Sequence, residues 1–212
     1  MCANLQPDQP APRQGYMAVE NAELYYREIG QGQTIIILHG GPDFDHTYLL
    51  PDLDRLSDSF RLIYYDQRGR GKSADNVQPE DVTIQSDIED LERLRGYFQL
   101  ESVAILGHSW GGLLAMEYAI RHPDRVSHLI LMNTAPASHP DYMLLREDRR
   151  KRAAGDIEKL KARSYDTRYQ EGDPETVAEY YRIIFGTTIK RPEHLERLNL
   201  SWTQEDILRG RA

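Results

Sequence analysis

Short apolar runs alternate with helical patterns over roughly the first 135 residues. Four runs, at residues 34–38, 61–65, 103–106 and 129–132, are continuous and rich in Ile, Leu, Val and Tyr. Such runs are typical of strands buried on both faces of a parallel sheet. Two further strands are predicted at residues 16–19 and 23–29, joined by turn residues 20–22.

Between these runs, apolar residues recur at helical spacing. Ile84, Ile88, Leu91, Leu94 and Phe98 share one helix face, and the preceding Thr83 suits the N-cap. A second helix carries Leu113, Met116 and Ile120 and stops before Pro123. Strands that alternate with helices predict an α/β fold with a mostly parallel sheet and right-handed crossovers.

The pattern becomes helical after residue 133. Charged residues 146–163 predict one solvated helix, and residues 174–185 predict another with Ala178, Tyr181 and Ile184 on one stripe. Ser201 and Gln204 resemble a capping box that opens a last helix. We therefore predict a flexible tail at residues 1–15, a sheet core at 16–135 and a helical cap region at 136–212.

Composition excludes several functional classes. The 212 residues carry a formal net charge of −8, which argues against a nucleic-acid binder. Cys2 is the only cysteine, so neither an internal disulfide nor a thiolate metal cluster can form. Because the first residues lack an apolar run and no stretch has 18 consecutive apolar residues, we expect a cytoplasmic protein without a membrane partner.

The strongest chemical signal is Gly107-His108-Ser109-Trp110-Gly111, which matches G-x-S-x-G. It stands directly after a predicted strand and before a predicted helix, where this motif holds a nucleophilic serine on a sharp turn. A Cβ at Gly107 or Gly111 would clash across that turn. Ser109 is therefore the predicted nucleophile, against the alternative of an ordinary glycine-rich turn.

A second motif, His39-Gly40-Gly41-Pro42, follows the strand at residues 34–38. A backbone N–H of this loop, together with the N–H of Trp110, would form an oxyanion hole worth about 3 to 4 kcal/mol per donor. Gly41 is the preferred donor and Gly40 the alternative. His39 is expected to brace the loop. The structural alternative is a tight turn without a ligand.

A third motif, Asp66-Gln67-Arg68-Gly69-Arg70-Gly71-Lys72-Ser73, follows the strand at residues 61–65. Its end resembles a phosphate-binding loop, but Asp66 stands where that motif needs glycine, so nucleotide binding is rejected. We interpret the segment as a structural turn held by an Asp66–Arg68 bridge.

In this order and spacing, the three motifs resemble the proline iminopeptidase group of the α/β-hydrolase fold family. The resemblance implies a helical cap over the active site, a Ser-Asp-His triad and release of an N-terminal proline from peptides. It makes Ser109 the nucleophile, with Gly41 and Trp110 as oxyanion donors. Asp43 departs from the group, which has glycine there. Similar cores also cleave amino-acid amides, esters or lactones.

The triad order in this fold is Ser, acid, His, with the last two after later strands. The histidines after Ser109, which are His122, His128, His139 and His194, do not follow a late strand, and none is assigned as the base. The His108 side chain is expected to point away from the Ser109 hydroxyl, and Asp141 is interpreted as a loop carboxylate. We therefore expect the acid and histidine beyond Ala212, little activity from this C-terminally truncated chain, and an exposed, aggregation-prone sheet edge.

Three functional hypotheses follow. The first is a peptidase in which Glu171, Glu175, Glu179 or Glu205 meets a free amino terminus. The second is an esterase or lactonase with the same machinery, and the third is a binding protein that has lost the triad. We expect a small-molecule or short-peptide substrate, and predict neither a metal site nor a cofactor. The oligomeric state stays open.

Overall fold

The computed structural model describes residues 11–41, 44–200 and 202–209. The chain divides into two compact units, Met1–Ala135 and Pro136–Ala212. The first holds a six-stranded sheet with two α-helices, and the described part of the second is helical. None of the described helices combines the length and apolar character that a membrane crossing needs.

The sheet has the strand order β1-β2-β4-β3-β5-β6. β1 and β2 form an antiparallel hairpin and β2 pairs antiparallel with β4, whereas β3–β4, β3–β5 and β5–β6 are parallel. This confirms the predicted α/β fold with a mostly parallel sheet. The strands are β1 (Arg13–Val19), β2 (Ala22–Ile29), β3 (Gln33–Leu38), β4 (Phe60–Tyr65), β5 (Val103–His108) and β6 (Val126–Met132).

β1 starts earlier than the sequence pattern predicts. Arg13 already pairs with Glu28, so residues 13–15, which were assigned to the flexible tail, belong to the sheet. The side chains of Arg13 and Gln14 are polar and exposed, and an edge strand needs apolar residues on its inner face only. Residues 1–10 of the predicted tail lie outside the described residues.

Both faces of the middle of the sheet are covered, as the continuous apolar runs predict. Along β3, Ile36 and Leu38 pack toward α1 (Ile84–Tyr97) and α2 (Trp110–Arg121). Ile35 and Ile37 face a second cluster that includes Leu49 and lies on the other side. Alternate residues of a strand point to opposite faces, so a strand in the middle of the sheet must be apolar at every position.

Helix α1 confirms its predicted face and cap. Ile88, Leu91 and Leu94 are fully buried. The Thr83 hydroxyl accepts a hydrogen bond from the Ser86 N–H, and the Ser86 hydroxyl oxygen accepts one from the Thr83 N–H. This reciprocal capping satisfies two N–H groups that the first helical turn leaves without partners.

The helix predicted before Pro123 is confirmed as α2, but the residues that mark it in the sequence do not form its buried face. Leu114, Ala115 and Tyr118 are buried, whereas Ile120 is 75% exposed. Gly111 approaches the backbone of β3 closely, which fixes the face that the helix turns to the sheet. Residues three, four and seven positions after Gly111 lie on that same face.

β6 is also less buried than its apolar run predicts. Leu129, Ile130 and Leu131 are 38%, 40% and 46% exposed. β6 ends the sheet, and within the described residues no strand pairs with its outer side. A continuous apolar run therefore indicates a strand that is suited to burial on both faces. Within the described residues, β6 is not covered in this way.

The second unit contains five α-helices among its described residues. The single helix predicted for residues 146–163 is two helices, because the chain turns at Ala153–Asp156, a segment that contains Gly155. The helix predicted at 174–185 is confirmed, although Ser201 of the predicted capping box lies outside the described residues. The helices are α3 (His139–Arg152), α4 (Ile157–Ser164), α5 (Thr167–Gln170), α6 (Pro174–Gly186) and α7 (Gln204–Arg209).

Candidate active site

Ser109 sits on a strained turn between β5 and α2. Its φ of 52° and ψ of −115° lie outside the regions that a residue with a side chain prefers. A Cβ on Gly107 would lie 2.6 Å from the Gly112 Cα, and a Cβ on Gly111 would overlap the Leu38 carbonyl oxygen. Both glycines are therefore required by close backbone approach, as the motif predicts.

The backbone of Ser109 is held at the carboxyl ends of two strands. Its N–H donates to the Met132 carbonyl at 3.2 Å, and its own carbonyl accepts from the N–H groups of Gly112 and Ala135 at 3.1 and 3.0 Å. The Ser109 side chain makes no capping bond to α2. The turn thus fixes the serine at the N-terminus of a helix, where developing negative charge is favoured.

His39 braces the loop after β3, as predicted. Its Nδ1–H donates to the Gly40 carbonyl at 2.8 Å, and its Nε2 accepts from the Gln67 N–H at 3.0 Å. The Gln67 side-chain amide donates to the His39 carbonyl at 2.8 Å. Burial lowers the pKa of His39 to about 4, so the imidazole is neutral at pH 7 and serves as a hydrogen-bonding strut.

The two candidate oxyanion donors of this loop differ in their hydrogen bonding. The Gly40 N–H donates to the Tyr48 hydroxyl oxygen at 2.7 Å and is therefore engaged within the protein. Gly41 has a φ of 140°, a conformation that favours glycine. This difference supports Gly41 over Gly40 as the donor. Pro42 and the divergent Asp43 lie outside the described residues.

Tyr48 is a site residue that the sequence analysis missed. Its hydroxyl lies 2.5 Å from the His108 Nδ1, one residue before Ser109. Burial raises the pKa of Tyr48 and lowers the pKa of His108, so both are neutral and the tyrosine O–H donates to the imidazole. A tyrosine in a short segment between two strands carries no sequence signal for this contact.

The predicted Asp66–Arg68 bridge is wrong. The Arg68 guanidinium instead makes two bonds, at 2.8 and 2.7 Å, to the carboxylate of Asp90 in α1. Asp66 pairs with His46 at 2.6 Å. Since each acid and base is buried and has a partner from a different element, the motif after β4 fastens two neighbouring segments to the sheet.

Asp45, His46 and Asp66 are the residues within the described ranges that could hold a metal ion, with ligand atoms within 4.8 Å of one another. Their oxygens already have protein donors. Asp45 accepts from the Thr47 N–H at 2.7 Å, and Asp66 accepts from the Lys72 N–H at 3.0 Å. The arrangement therefore works as a hydrogen-bonded brace.

Of the histidines in the first unit that follow or precede Ser109, His122 and His128 lie far from it along α2 and β6. His122 follows the last residue of α2, about 18 Å along the helix from its start. His128 precedes Met132 by four residues, about 13 Å along β6. The Nδ1 of His108 is engaged with Tyr48. None of these described histidines is placed to accept the Ser109 proton.

The candidate acids of the second unit are mostly in ordinary helical roles. Glu179 forms an ion pair with Arg163 at 2.6 Å, and Glu175 lies in the first turn of α6. Asp141, predicted to be a loop carboxylate, lies in the first turn of α3, where its carboxylate accepts from the Ser138 hydroxyl at 2.6 Å. Negative charge is favourable at both helix N-termini.

Residues 33–167 match the family model of the alpha/beta hydrolase fold. The chain belongs to the α/β-hydrolase fold family. The matched α/β-hydrolase segment contains the loop after β3, the motif after β4 and the turn at Ser109, so the three sequence motifs and the family match cover the same part of the chain.

Relatives of this α/β-hydrolase include proline iminopeptidases. It is 31% identical to the proline iminopeptidase of Clostridium botulinum over 206 residues, which cover 90% of this chain and 68% of the relative. It is 36% identical to that of Saccharolobus solfataricus over 122 residues, 56% of this chain and 39% of the relative. The resemblance to this group is thereby confirmed. The chain spans less than half the length of most of the curated relatives that it matches.

Solved structures agree with the α/β-hydrolase fold. A proline iminopeptidase-related protein from Thermus thermophilus superposes with a TM-score of 0.53 at 31% identity, covering 59% of this chain and 45% of that one. An epoxide hydrolase from Bacillus megaterium superposes with a TM-score of 0.66 at 23% identity, covering 92% and 69%. The second likeness concerns the fold alone.

Proposed function

We propose that this α/β-hydrolase carries the nucleophile and oxyanion hole of a serine hydrolase that releases N-terminal residues from small peptides or amides. The observation that carries the proposal is Ser109 itself, held at positive φ between β5 and α2 beside the loop of Gly40 and Gly41. The proline iminopeptidase relatives support an amide or peptide substrate over other acyl compounds.

The proposed reaction passes through an acyl-enzyme. The Ser109 oxygen forms a bond to the substrate carbonyl carbon, and the N–H groups of Gly41 and Trp110 donate hydrogen bonds to the carbonyl oxygen as it becomes negatively charged. Collapse breaks the carbon–nitrogen bond, and the amine leaves with the proton that the serine gave up. Water then attacks the ester, frees the acid and restores the serine.

The proton of Ser109 needs a base, and the described histidines near the turn do not supply one. We therefore propose that this chain reacts slowly by itself. In hydrolases without their triad, a residual acceleration of about 10³ to 10⁴ over water comes from the oxyanion hole and binding. The competing hypothesis is a binding protein of the same fold, which predicts no reactivity at Ser109.

A fluorophosphonate probe tests the nucleophile directly. We expect slow, single-site labelling, located at Ser109 by peptide mass spectrometry and abolished in Ser109→Ala. Ser127→Ala is the matched control, since Ser127 is an exposed serine on β6 and its loss should leave labelling unchanged. A folded chain that never labels at Ser109 would refute the proposed nucleophile and favour the binding protein.

A substrate panel separates the two hydrolase classes. Proline anilide should turn over faster, relative to its uncatalysed rate, than short-chain nitrophenyl esters do. The opposite order would favour the esterase or lactonase alternative with the same Ser109 machinery.

A further inference from the structure

Tyr48 connects the two segments that build the proposed site. Its hydroxyl oxygen accepts the Gly40 N–H at 2.7 Å from the loop after β3 and lies 2.5 Å from the His108 Nδ1 at the end of β5. One hydroxyl that accepts from one side and donates to the other uses its hydrogen and one lone pair. The bond sequence therefore runs from Gly40 through Tyr48 to His108.

The space around Gly40 is too small for a side chain. A Cβ on Gly40 would lie 2.9 Å from the Tyr48 hydroxyl, 3.0 Å from the Ser109 Cβ and 3.2 Å from the His108 Nδ1. The tyrosine hydroxyl, the Ser109 Cβ and the His108 ring thus all lie close to Gly40. A displacement of the loop by a fraction of an ångström would change the distance between its N–H groups and the reacting oxygen.

The segment that carries Tyr48 is itself fixed. Tyr48 belongs to a 3-10 helix, His46–Leu49, whose first residue forms a buried pair with Asp66 at 2.6 Å. The Asp45 side chain caps this helix by accepting from the Thr47 N–H. The motif after β4 therefore acts on the site through His46, since it anchors the element that presents Tyr48.

We propose that Tyr48 is a positioning residue for the oxyanion loop, whose hydroxyl binds the Gly40 N–H and His108 together and leaves Gly41 as the loop's donor to the reacting oxygen. The expected effect on the reaction rests on the proposed function. The tie, by which we mean the two hydrogen bonds that join Gly40 to His108 through Tyr48, does not depend on that function and can be measured without any reaction.

The first experiment compares Tyr48→Phe with the unmodified chain, using the saturating rate constant and the half-saturation concentration of fluorophosphonate labelling. We expect the rate constant to fall at least tenfold with little change in half-saturation, because the hydroxyl orients the loop and does not hold the probe. Tyr64→Phe is the matched control, since it also removes a buried hydroxyl, one that donates to Asp54. Equal labelling rates in Tyr48→Phe and the unmodified chain would overturn the proposal.

The second experiment follows hydrogen exchange of the Gly40 amide by NMR. We expect at least tenfold faster exchange in Tyr48→Phe and no change in Tyr64→Phe. If the unmodified chain never labels, the proposed function fails, and this exchange alone decides whether the tie exists. An unchanged Gly40 exchange rate would then overturn the tie as well.

If Tyr48→Phe does not fold, two variants at the other end of the bond replace it. His108→Leu removes the acceptor, whereas His108→Gln offers an amide oxygen in its place. We expect His108→Gln to label at least threefold faster than His108→Leu, and equal rates in two folded variants would overturn the proposal.

Discussion

At the scale of single residues, the proposed site depends on positions where a side chain is impossible or must stay uncharged. Gly111 lies against the backbone of β3, and His39 is fully buried between two backbone partners. Neither position contacts a substrate in the proposed mechanism. Both act on Ser109 and the oxyanion loop through the backbone, so their substitution should show first in stability.

Gly111→Ala should strongly destabilise the first unit. The new Cβ would overlap the Leu38 and His39 carbonyl oxygens, and backbone atoms cannot rotate away as a side chain does. We expect a loss of about 3 kcal/mol in the free energy of unfolding, measured by urea denaturation. Gly96→Ala is the control, because nothing lies within 4 Å of that Cβ on helix α1, and it should stabilise by about 0.5–1 kcal/mol. Equal effects of the two changes would contradict the packing argument.

His39 should make stability depend on pH. Its pKa of about 4 in the folded chain lies below the ordinary value of 6.5, so between these values the unfolded chain binds a proton that the folded chain does not. The stability that the neutral imidazole provides is therefore complete above pH 6.5 and is lost as pH falls toward 4, by about 3 kcal/mol in total.

Urea denaturation at pH 7 and pH 5 measures how the free energy of unfolding depends on His39. We expect the decrease in this free energy from pH 7 to pH 5 to be smaller by about 2 kcal/mol in His39→Asn than in the unmodified chain. The asparagine amide can still donate to the Gly40 carbonyl but does not titrate. The same pH dependence in both proteins would show that His39 is not the group responsible.

At the scale of elements, buried ion pairs join the segment after β4 to helix α1. The side chains of Arg68 and Asp90 are 4% and 0% exposed, and Arg70 pairs with Asp87 at 2.8 Å one helical turn earlier. These two ion pairs fix the position of α1 relative to the segment after β4. An apolar stripe alone would allow the helix to slide along the sheet.

Asp90→Ala should cost about 3–5 kcal/mol of unfolding free energy, because it leaves the Arg68 guanidinium buried without its carboxylate. Glu89→Ala, one position earlier, removes two exposed contacts, to Arg93 at 3.7 Å and to Gln85 at 2.7 Å, and should change stability by less than about 0.5 kcal/mol. Chemical denaturation of both variants makes the comparison. A small effect of Asp90→Ala would mean that the pair does not hold α1.

At the scale of the whole molecule, the sheet formed by the described residues ends at β6, where apolar side chains are exposed. Leu129, Ile130 and Leu131 are consecutive and partly exposed, and β6 has no Lys, Arg, Asp, Glu or Pro. Natural proteins usually protect such an edge with charge, proline or a covering element. The edge therefore favours association between copies.

Ile130→Lys should reduce this association. We expect light scattering to show concentration-dependent growth in mass for the unmodified chain and less growth for the variant, because a charge on an edge strand disfavours further pairing. Leu144→Lys is the control, since Leu144 is a 65% exposed apolar residue on α3, a helix of the second unit. If Leu144→Lys has the larger effect, β6 is not the surface responsible.

The amino-acid sequence by itself determined the local features of this chain. Apolar runs gave the strands, the spacing of Ile88, Leu91 and Leu94 gave α1, and glycines on both sides of Ser109 gave the strained turn. These features depend on residues a few positions apart, where backbone sterics and periodicity act directly. The family resemblance rests on the same local motifs.

Only the tertiary structure decided which distant residues meet. It shows ion pairs of Arg68 with Asp90 and of Asp66 with His46, and a hydrogen bond from the Gly40 N–H to Tyr48. It also shows that the face of α2 that carries Ala115 is buried. Each of these depends on how elements pack, because a charged or hydroxyl side chain carries no sequence mark of its partner. The exposure of β6 has the same origin, since burial is a property of neighbours and not of the strand's own residues.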